Sequence, residues 1–504
     1  MINFIYRQTI ISDPGNPSVE PRYMDAISDL EIRMTANGAV LYAASGAESG
    51  LTAFTIFENQ MATYLDELGP SGSRGTEAVD QLDFVQIAGD DYLLPSGRND
   101  DRLALHALSG TTGAFDGVEI YGSATELPGR VSASTSVILN GMTYSYMAQA
   151  NQSGIIPVAF DSLTSARVLG REEDSVDTHF KDITALANAT IGARTFIFSA
   201  SGTEHAITSV RAYDTGALNP VDSLGPSEGL WIAAPTAIEV VVAGGNTYLI
   251  VGAAGSDSLS VVKVNAWGGL SVTDHILDDL DSRFQNATDI ESVKYKHRVL
   301  VLVGGSDDGI TLFELTPSGL LFELATITDT FDTTLGDVSA IAAAIIGDEM
   351  QVYVGSSTET GITQFTVDLG AFGVLRRGSL EAEWLNGIWA DDLLDGFEGD
   401  DVLKGNNGDD RLIDGDGQDK LYGGRGEDTF IFVEDGDLDS IKDFEPGRDL
   451  IDLSQFEMLY SFEQLTLEQR SYGVVVRANG EALRVESEIS TLQVADLGAD
   501  DFLF

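Results

Sequence analysis

Residues 300–315 read LVLVGGSDDGITLFEL. An alternating apolar run meets a Gly/Ser/Asp turn, and a second alternating run follows. Alternation at period two, rich in Val, Ile and Phe, marks two half-buried β-strands joined by a short turn. The same phrase recurs along the chain as VLYAASGAESGLTAFTI (40–56), YLLPSGRNDDRLALHAL (92–108), YSYMAQANQSGIIPVAF (144–160), FIFSASGTEHAITSVRAY (196–213), YLIVGAAGSDSLSVVKV (248–264) and VYVGSSTETGITQFTV (352–367). The first apolar residue after each turn is Leu51, Leu103, Ile155, Ile207, Leu259, Ile310 and Ile362, in steps of 52, 52, 52, 52, 51 and 52 residues. Each period has room for about four strands of ordinary length. Turn pairs such as Asn37-Gly38, Asn140-Gly141 and Gly347-Asp348 punctuate them. Seven four-stranded units in series predict a seven-bladed β-propeller over residues 1–382.

A propeller needs a closing segment, because an open edge strand is a liability. NFIYRQTI (3–10) and FGVLRRGSLE (372–381) are the two segments available, and the sequence does not choose between them. The unit GITLFELTPSGLLFE (309–323) resembles the seven-bladed YVTN/lactonase-like propellers, a likeness extending over about residues 1–380. No Trp-Asp pair recurs as it does in WD repeats.

Propellers bind ligands where equivalent loops converge on one face. Steps of 52 residues from Trp231 reach His179 and Arg283, with Arg74 and Tyr23 within one residue of that register. Such residues suit an anionic or sugar-like group, so these five form the candidate ligand face. GPSEG (225–229) matches G-x-S-x-G, but it lies between strands with Pro226 before the serine, and it is read as a surface turn. There is no H-E-x-x-H and no phosphate-binding loop, and His106, His179, His205, His275 and His297 show no ligand spacing. Nothing on the propeller marks a reaction.

A second period follows. From residue 387 the units are GIWADDLLD, GFEGDDVLK, GNNGDDRLI, DGDGQDKLY and GGRGEDTFI. Their sixth places are Asp392, Asp401, Asp410, Asp419 and Asp428, and their eighth places are Leu394, Leu403, Leu412, Leu421 and Phe430. Glycines allow tight turns with exposed carbonyls, while the apolar eighth place buries a short strand. Stacked turns gather carboxylates and carbonyls, the hard oxygen donors that suit Ca²⁺.

This G-G-x-G-x-D-x-U-x pattern is similar to the repeat of RTX proteins. The resemblance implies a parallel β-roll over 386–431, two repeats to a turn, with each ion between loops two repeats apart. Asp392 would pair with Asp410, Asp401 with Asp419 and Asp410 with Asp428, giving about three complete Ca²⁺ sites. The loop candidates are Gly396, Glu398, Asp400, Gly405, Asn407, Asp409, Asp414, Asp416, Gln418, Gly423 and Glu427. Two departures stand out: the first unit carries Ile388, Trp389 and Ala390 in its loop, and the fourth begins with Asp414. The outermost sites are expected to be weaker. DTFIFVEDGDLDSIKDFEPGRDLIDLSQF (428–456) resembles the segment capping the roll in serralysin-like C-terminal domains, with Asp439 and Asp443 as candidates for a last site. LGADDFLF (497–504) looks like the uncleaved C-terminal signal of type I secretion. Residues 432–504 are thus expected to be cap and export signal.

Composition agrees with these readings. With 80 acidic against 28 basic residues, a formal charge of −52, cations are plausible partners and nucleic acid is not. There is no cysteine, so disulfides, zinc thiolates and thiol catalysis are excluded. The start, MINFIYRQTIISDPG, lacks the features of a secretory leader, and no apolar run is long enough to span a bilayer. The expected molecule is all-β: a propeller followed by a calcium-binding β-roll, secreted by the type I machinery. The propeller is read as a non-catalytic platform for an extracellular glycan or surface partner. The alternative is a lactonase-like or other hydrolase with its active site at the propeller centre. A pore-forming toxin would need long apolar helices, which the sequence lacks.

Overall fold

The computed structural model describes the chain except residues 1, 12–20, 72–74, 101–102, 122–126, 163–164, 176–177, 281 and 457. Among the described residues the fold is all-β, with helix confined to four single 3₁₀ turns. The chain forms two compact units, Ile2–Asp368 and Leu369–Phe504.

The first unit is a seven-bladed propeller. Blades 1 to 6 are four-stranded antiparallel meanders spanning 27–68, 81–121, 131–168, 183–224, 235–277 and 289–328. Blade 7 takes three strands from 338–368, and its fourth is the N-terminal strand Phe4–Ile10, antiparallel to Ile362–Asp368. Of the two candidate closing segments, the N-terminal one therefore completes the ring. Phe372–Arg377 instead pairs in parallel with Asp391–Asp395 in the second unit. The apolar faces meet between neighbouring blades: Leu41, Ala43 and Phe54 of blade 1 pack with Ala340, Tyr353 and Ile362 of blade 7.

Two devices repeat around the ring. The residue entering each innermost strand is left-handed although it is never glycine: Ala26, Ala78, Arg130, Asp182, Ala234, Asn286 and Asp337 have φ between 47° and 55°. Two residues later in six blades comes a hydroxyl that donates to a carbonyl of the next blade. The pairs are Ser28 to Val79, Ser132 to Ile183, Thr184 to Pro235, Thr236 to Ala287, Thr288 to Val338 and Ser339 to Ile27, the last closing the circle. In blades 1, 3, 4, 5 and 7 this hydroxyl sits at a β-bulge, which turns it toward its neighbour. Blade 2 has Asp80 there, which has no proton to give when ionised. Gln81 takes over, donating to Ser134 O at 3.1 Å and accepting from Ser134 N at 2.9 Å.

The second unit is a parallel β-solenoid. One sheet runs Phe372–Arg377, Asp391–Asp395, Arg411–Ile413, Thr429–Ile431, Leu450–Asp452 and Phe502–Leu503. The other runs Trp384–Asn386, Val402–Asn407, Lys420–Arg425 and Leu438–Ile441, then continues through Glu481–Val485, Val474–Ala478 and Thr466–Gln469. Between the sheets lies one apolar column containing Leu394, Leu403, Leu412, Leu421 and Phe430, all fully buried. Phe502 ends that core beside Phe462 and stacks on Phe504.

Candidate functional site

The repeat places its aspartates along the solenoid as two ladders. Oδ1 of Asp410 accepts from the backbone N–H of Asp392 at 2.8 Å, and Oδ1 of Asp428 from that of Asp410 at 2.9 Å, each 18 residues away. On the other side Asp419 Oδ1 accepts from Asp401 N at 2.6 Å, again over 18 residues. The ladders continue past the nonapeptides with longer steps: Asp419 N donates to Asp439 Oδ1 over 20 residues, and Asp428 N to Asp449 Oδ1 over 21. Asp443 Oδ1 accepts from Gly423 N at 3.0 Å.

The second oxygens are what make a site. Oδ2 of Asp401, Asp410, Asp414, Asp419 and Asp428 is buried with no hydrogen-bond partner. A buried carboxylate oxygen without a partner is costly. Desolvation accordingly raises these groups, increasingly toward the cap: Asp401 up to about 6, Asp410 up to about 7, and Asp419 and Asp428 up to about 8, with neighbouring carboxylates adding to the rise. Asp414 is also held well above the usual range, by burial first and by Asp439 second. The glycines mark the same spaces. A Cβ on Gly405 would meet Asp410 Oδ2 and Gly423 O, and one on Gly396 would meet Asp414 O and Asp401 Oδ2. Carboxylate and carbonyl oxygens thus converge on cradles kept open by glycine, which fits a hard divalent cation. Among the described residues no three acidic or imidazole side chains form a metal-holding group. A bound Ca²⁺ would therefore draw much of its coordination from backbone carbonyls, with the Oδ2 atoms supplying charge.

The first rung differs. Both oxygens of Asp392 are engaged, Oδ1 by Val374 N of the strand Phe372–Arg377 at 2.6 Å and Oδ2 by Ile388 N of the first repeat loop at 2.5 Å, so strand and loop together satisfy this carboxylate from the chain itself. Asp400, Asp409, Gln418 and Glu427 of the loop candidates, joined by Asp391, make a second, outer ladder: Asp391 Oδ1 accepts from Asp409 N, Asp409 Oδ1 from Glu427 N and Asp400 Oδ1 from Gln418 N. Glu398 and Asp416 pair across a parallel bridge, and Asn407 pairs with Trp389. Asp391 and Asp449 were not among the sequence candidates. The cap lengthens the step from 18 residues to 21, which takes Asp449 out of the nonapeptide register.

In the propeller, the innermost strands enclose a cavity of about 530 Å³ lined by Asp29, Glu31, Asp83, Glu239, Asp289 and Glu291, with Arg98 the one cation among the described lining residues. Asp29 and Asp289 are structural: each accepts from its own strand (Leu30 N, Ile290 N) and from the next blade (Leu82 N, Ile341 N). Burial raises Glu239 to about 7 and Asp83 to about 6, against hydrogen bonds from Ser292 and Ser136 that pull the other way. Glu31 and Glu291 stand well above the usual range through burial, then through the surrounding carboxylates. None of the six was a sequence candidate.

The candidate ligand-face residues lie elsewhere. Tyr23, His179, Trp231 and Arg283 are in segments that lead into innermost strands, and none of them lines the cavity. The Tyr23 ring packs on Gly50 and Gly69. His179 Nδ1 is 4.0 Å from Glu204, and Trp231 is 69% exposed. The Arg283 guanidinium donates to its own loop, to Leu280 O at 3.0 Å and Ser282 O at 2.7 Å. Arg74 lies outside the described residues. Pro226–Glu228 of the GPSEG stretch is an exposed 3₁₀ turn in which Ser227 Oγ donates to Glu228.

Comparison with known proteins agrees with the solenoid geometry. Residues 395–430 match the family model of the RTX calcium-binding nonapeptide repeat, in four copies. The chain therefore carries RTX calcium-binding repeats, folded as a β-solenoid, in addition to a seven-bladed propeller. No curated protein matches the chain. Among solved structures, a functionally unknown protein from Desulfotomaculum acetoxidans is similar at 10% identity, covering 65% of this chain and 99% of that one, with a TM-score of 0.44.

Proposed function

We propose that this is an exported protein whose β-roll folds on about three Ca²⁺ ions and whose propeller serves as a binding platform outside the cell. The observation that carries the calcium reading is the set of buried, unpartnered Oδ2 atoms on Asp401, Asp410, Asp419 and Asp428. Without a cation these carboxylates repel and are desolvated; with one, binding energy becomes folding energy. Low cytosolic Ca²⁺ would keep the roll loose for passage, and extracellular Ca²⁺ would fold it. Among the described residues no helix is long and apolar enough to cross a membrane. Calorimetric titration of the full chain with Ca²⁺ tests the metal reading: saturable uptake of about three ions is expected, and no uptake contradicts it. Export is tested in cells carrying a type I apparatus. Loss of the protein from the medium on removing residues 485–504 supports the reading, and undiminished export opposes it.

A second reading, a hydrolase, draws support from the carboxylates around the central cavity, because groups raised to different extents, such as Glu239 and Asp83, line one space and would supply an acid and a base. Turnover of lactones, esters or phosphoesters that is lost in Glu239→Gln would favour the enzyme. No turnover by the folded protein would leave the platform.

A further inference from the structure

The two loop edges of the roll are chemically different. Successive repeats turn at opposite edges, so third-place residues alternate between them. One edge stacks Glu398 on Asp416. The other stacks Trp389, Asn407 and Arg425, through a parallel bridge and then strand register. Beside this column runs a second, Asn386, Lys404 and Tyr422, also in register. Rungs in such a column repeat at about 4.8 Å. Lys404 Nζ lies 4.8 Å from the centre of the Tyr422 ring and 5.0 Å from that of Trp384. Together Trp389, Lys404, Asn407, Tyr422 and Arg425 line a groove of about 480 Å³.

We propose that this groove binds an oligosaccharide chain lying along the solenoid. Trp389 is 86% exposed, the most exposed of the four tryptophans, and Trp384, at 67%, is close to the same Lys404. An exposed aromatic ring offers a flat apolar platform with wet surroundings, which matches the C–H face of a pyranose. The Asn407 amide both donates and accepts, and the Arg425 guanidinium donates in a fork, which matches neighbouring sugar hydroxyls. The groove's volume suits a small ligand. The other classes fit less well. A chain of charge −52 is a poor partner for nucleic acid. An open groove edged by Asp443, Glu445 and Glu488 gives a lipid tail no enclosure. A protein partner of ordinary affinity needs about 800 Å² of contact on each side, far more than one aromatic ladder. Lys404 and Arg425 are the basic residues of the groove, against Asp443, Glu445 and Glu488 at its edge, so neutral chains are favoured and a uronate would be held only where its carboxylate meets one of the two cations.

The test uses the full chain in calcium-containing buffer against cellohexaose, mannohexaose and a hexauronate, read by tryptophan emission and by calorimetry. At least one probe is expected to bind, with affinity falling about tenfold or more in Trp389→Ala and in Tyr422→Ala. Trp267→Ala, which removes an exposed indole of the propeller outside the candidate ligand face, is expected to leave binding unchanged. Arg425→Ala, an exposed position, is expected to weaken hexauronate more than the neutral probes and supplies a second variant if either aromatic change disturbs the roll. Binding that survives the Trp389→Ala, Tyr422→Ala double change, or no binding of any probe by the folded protein, overturns the proposal. Because this groove lies in the roll, loss of binding in the variants or no binding at all leaves the reading of the propeller standing, whereas binding that survives the double change would point to the propeller instead.

Discussion

Asp410 accepts the backbone N–H of Asp392 through Oδ1 at 2.8 Å and holds Oδ2 buried without a partner. One oxygen orders the ladder, and the other is left to a cation. The two roles separate in Asp410→Asn. In the presence of EGTA the variant is expected to be more stable than the parent, because it removes a desolvated charge whose carboxyl is raised to about 7. In saturating Ca²⁺ it is expected to be less stable, by about 1.4–2.7 kcal/mol if one site is lost at tenfold to hundredfold excess over its Kd. Denaturant midpoints in the two buffers check both signs. A loss of equal size in each buffer would point to a purely structural aspartate.

The central cavity predicts an acid-stable propeller. Glu239 rises from 4.5 to about 7, and Asp83 and Asp289 from 3.8 to about 6, chiefly by burial. The folded state thus binds protons more readily than the unfolded chain. Its stability is complete below about pH 4 and declines as pH rises through about 6–7. The propeller's thermal midpoint should fall between about pH 5 and about pH 7.5, and Glu239→Gln with Glu291→Gln should flatten that fall. A midpoint that rises over this interval would refute the assignment.

Alanine at a left-handed position costs energy that glycine does not. Ala234 has φ 49° at the entry to blade 5. Ala234→Gly should stabilise the propeller by about 0.5–1 kcal/mol, whereas Ala187→Gly inside the strand Ile183–Ile191 should destabilise it by a similar amount. Chemical unfolding of the two variants gives the comparison directly.

Arg298 and Glu314 form a forked ion pair in blade 6 with side chains 1% and 0% exposed. Removing one partner leaves a buried charge. Glu314→Gln is expected to cost about 3–5 kcal/mol, and Arg298→Met with Glu314→Leu to recover most of it. Equal losses in the single and double variants would contradict this account of the pair.

The propeller and the roll were legible because each is written as a period. The 52-residue phrase and the nonapeptide both repeat apolar residues that must face a core, as Leu403 and Leu412 do. What escaped is what carries no such mark. ISDLEIRMT, the innermost strand Ile27–Thr35, alternates apolar and charged residues as an outer strand would, because a polar cavity selects the same residue types as bulk solvent. Nor do Ala26, Arg130 and Asp182 announce a left-handed turn, since glycine would be the usual signal. The hydroxyl staple was present in the sequence at Ser28, Ser132, Thr184, Thr236, Thr288 and Ser339, but small polar residues recur too often for the spacing to be conspicuous. The ligand-face candidates shared a register, yet Arg283 spends its guanidinium on its own loop.

Hydrogen exchange of the full chain, with Ca²⁺ and with EGTA, tests the central claim most directly. The account predicts that amides of Asp392, Asp401, Asp410 and Asp419, which donate along the ladders, become protected with Ca²⁺ and exchange quickly without it, while peptides from 27–68 of blade 1 behave alike in both. Equal protection of residues 386–431 in the two buffers would contradict a roll that folds on calcium.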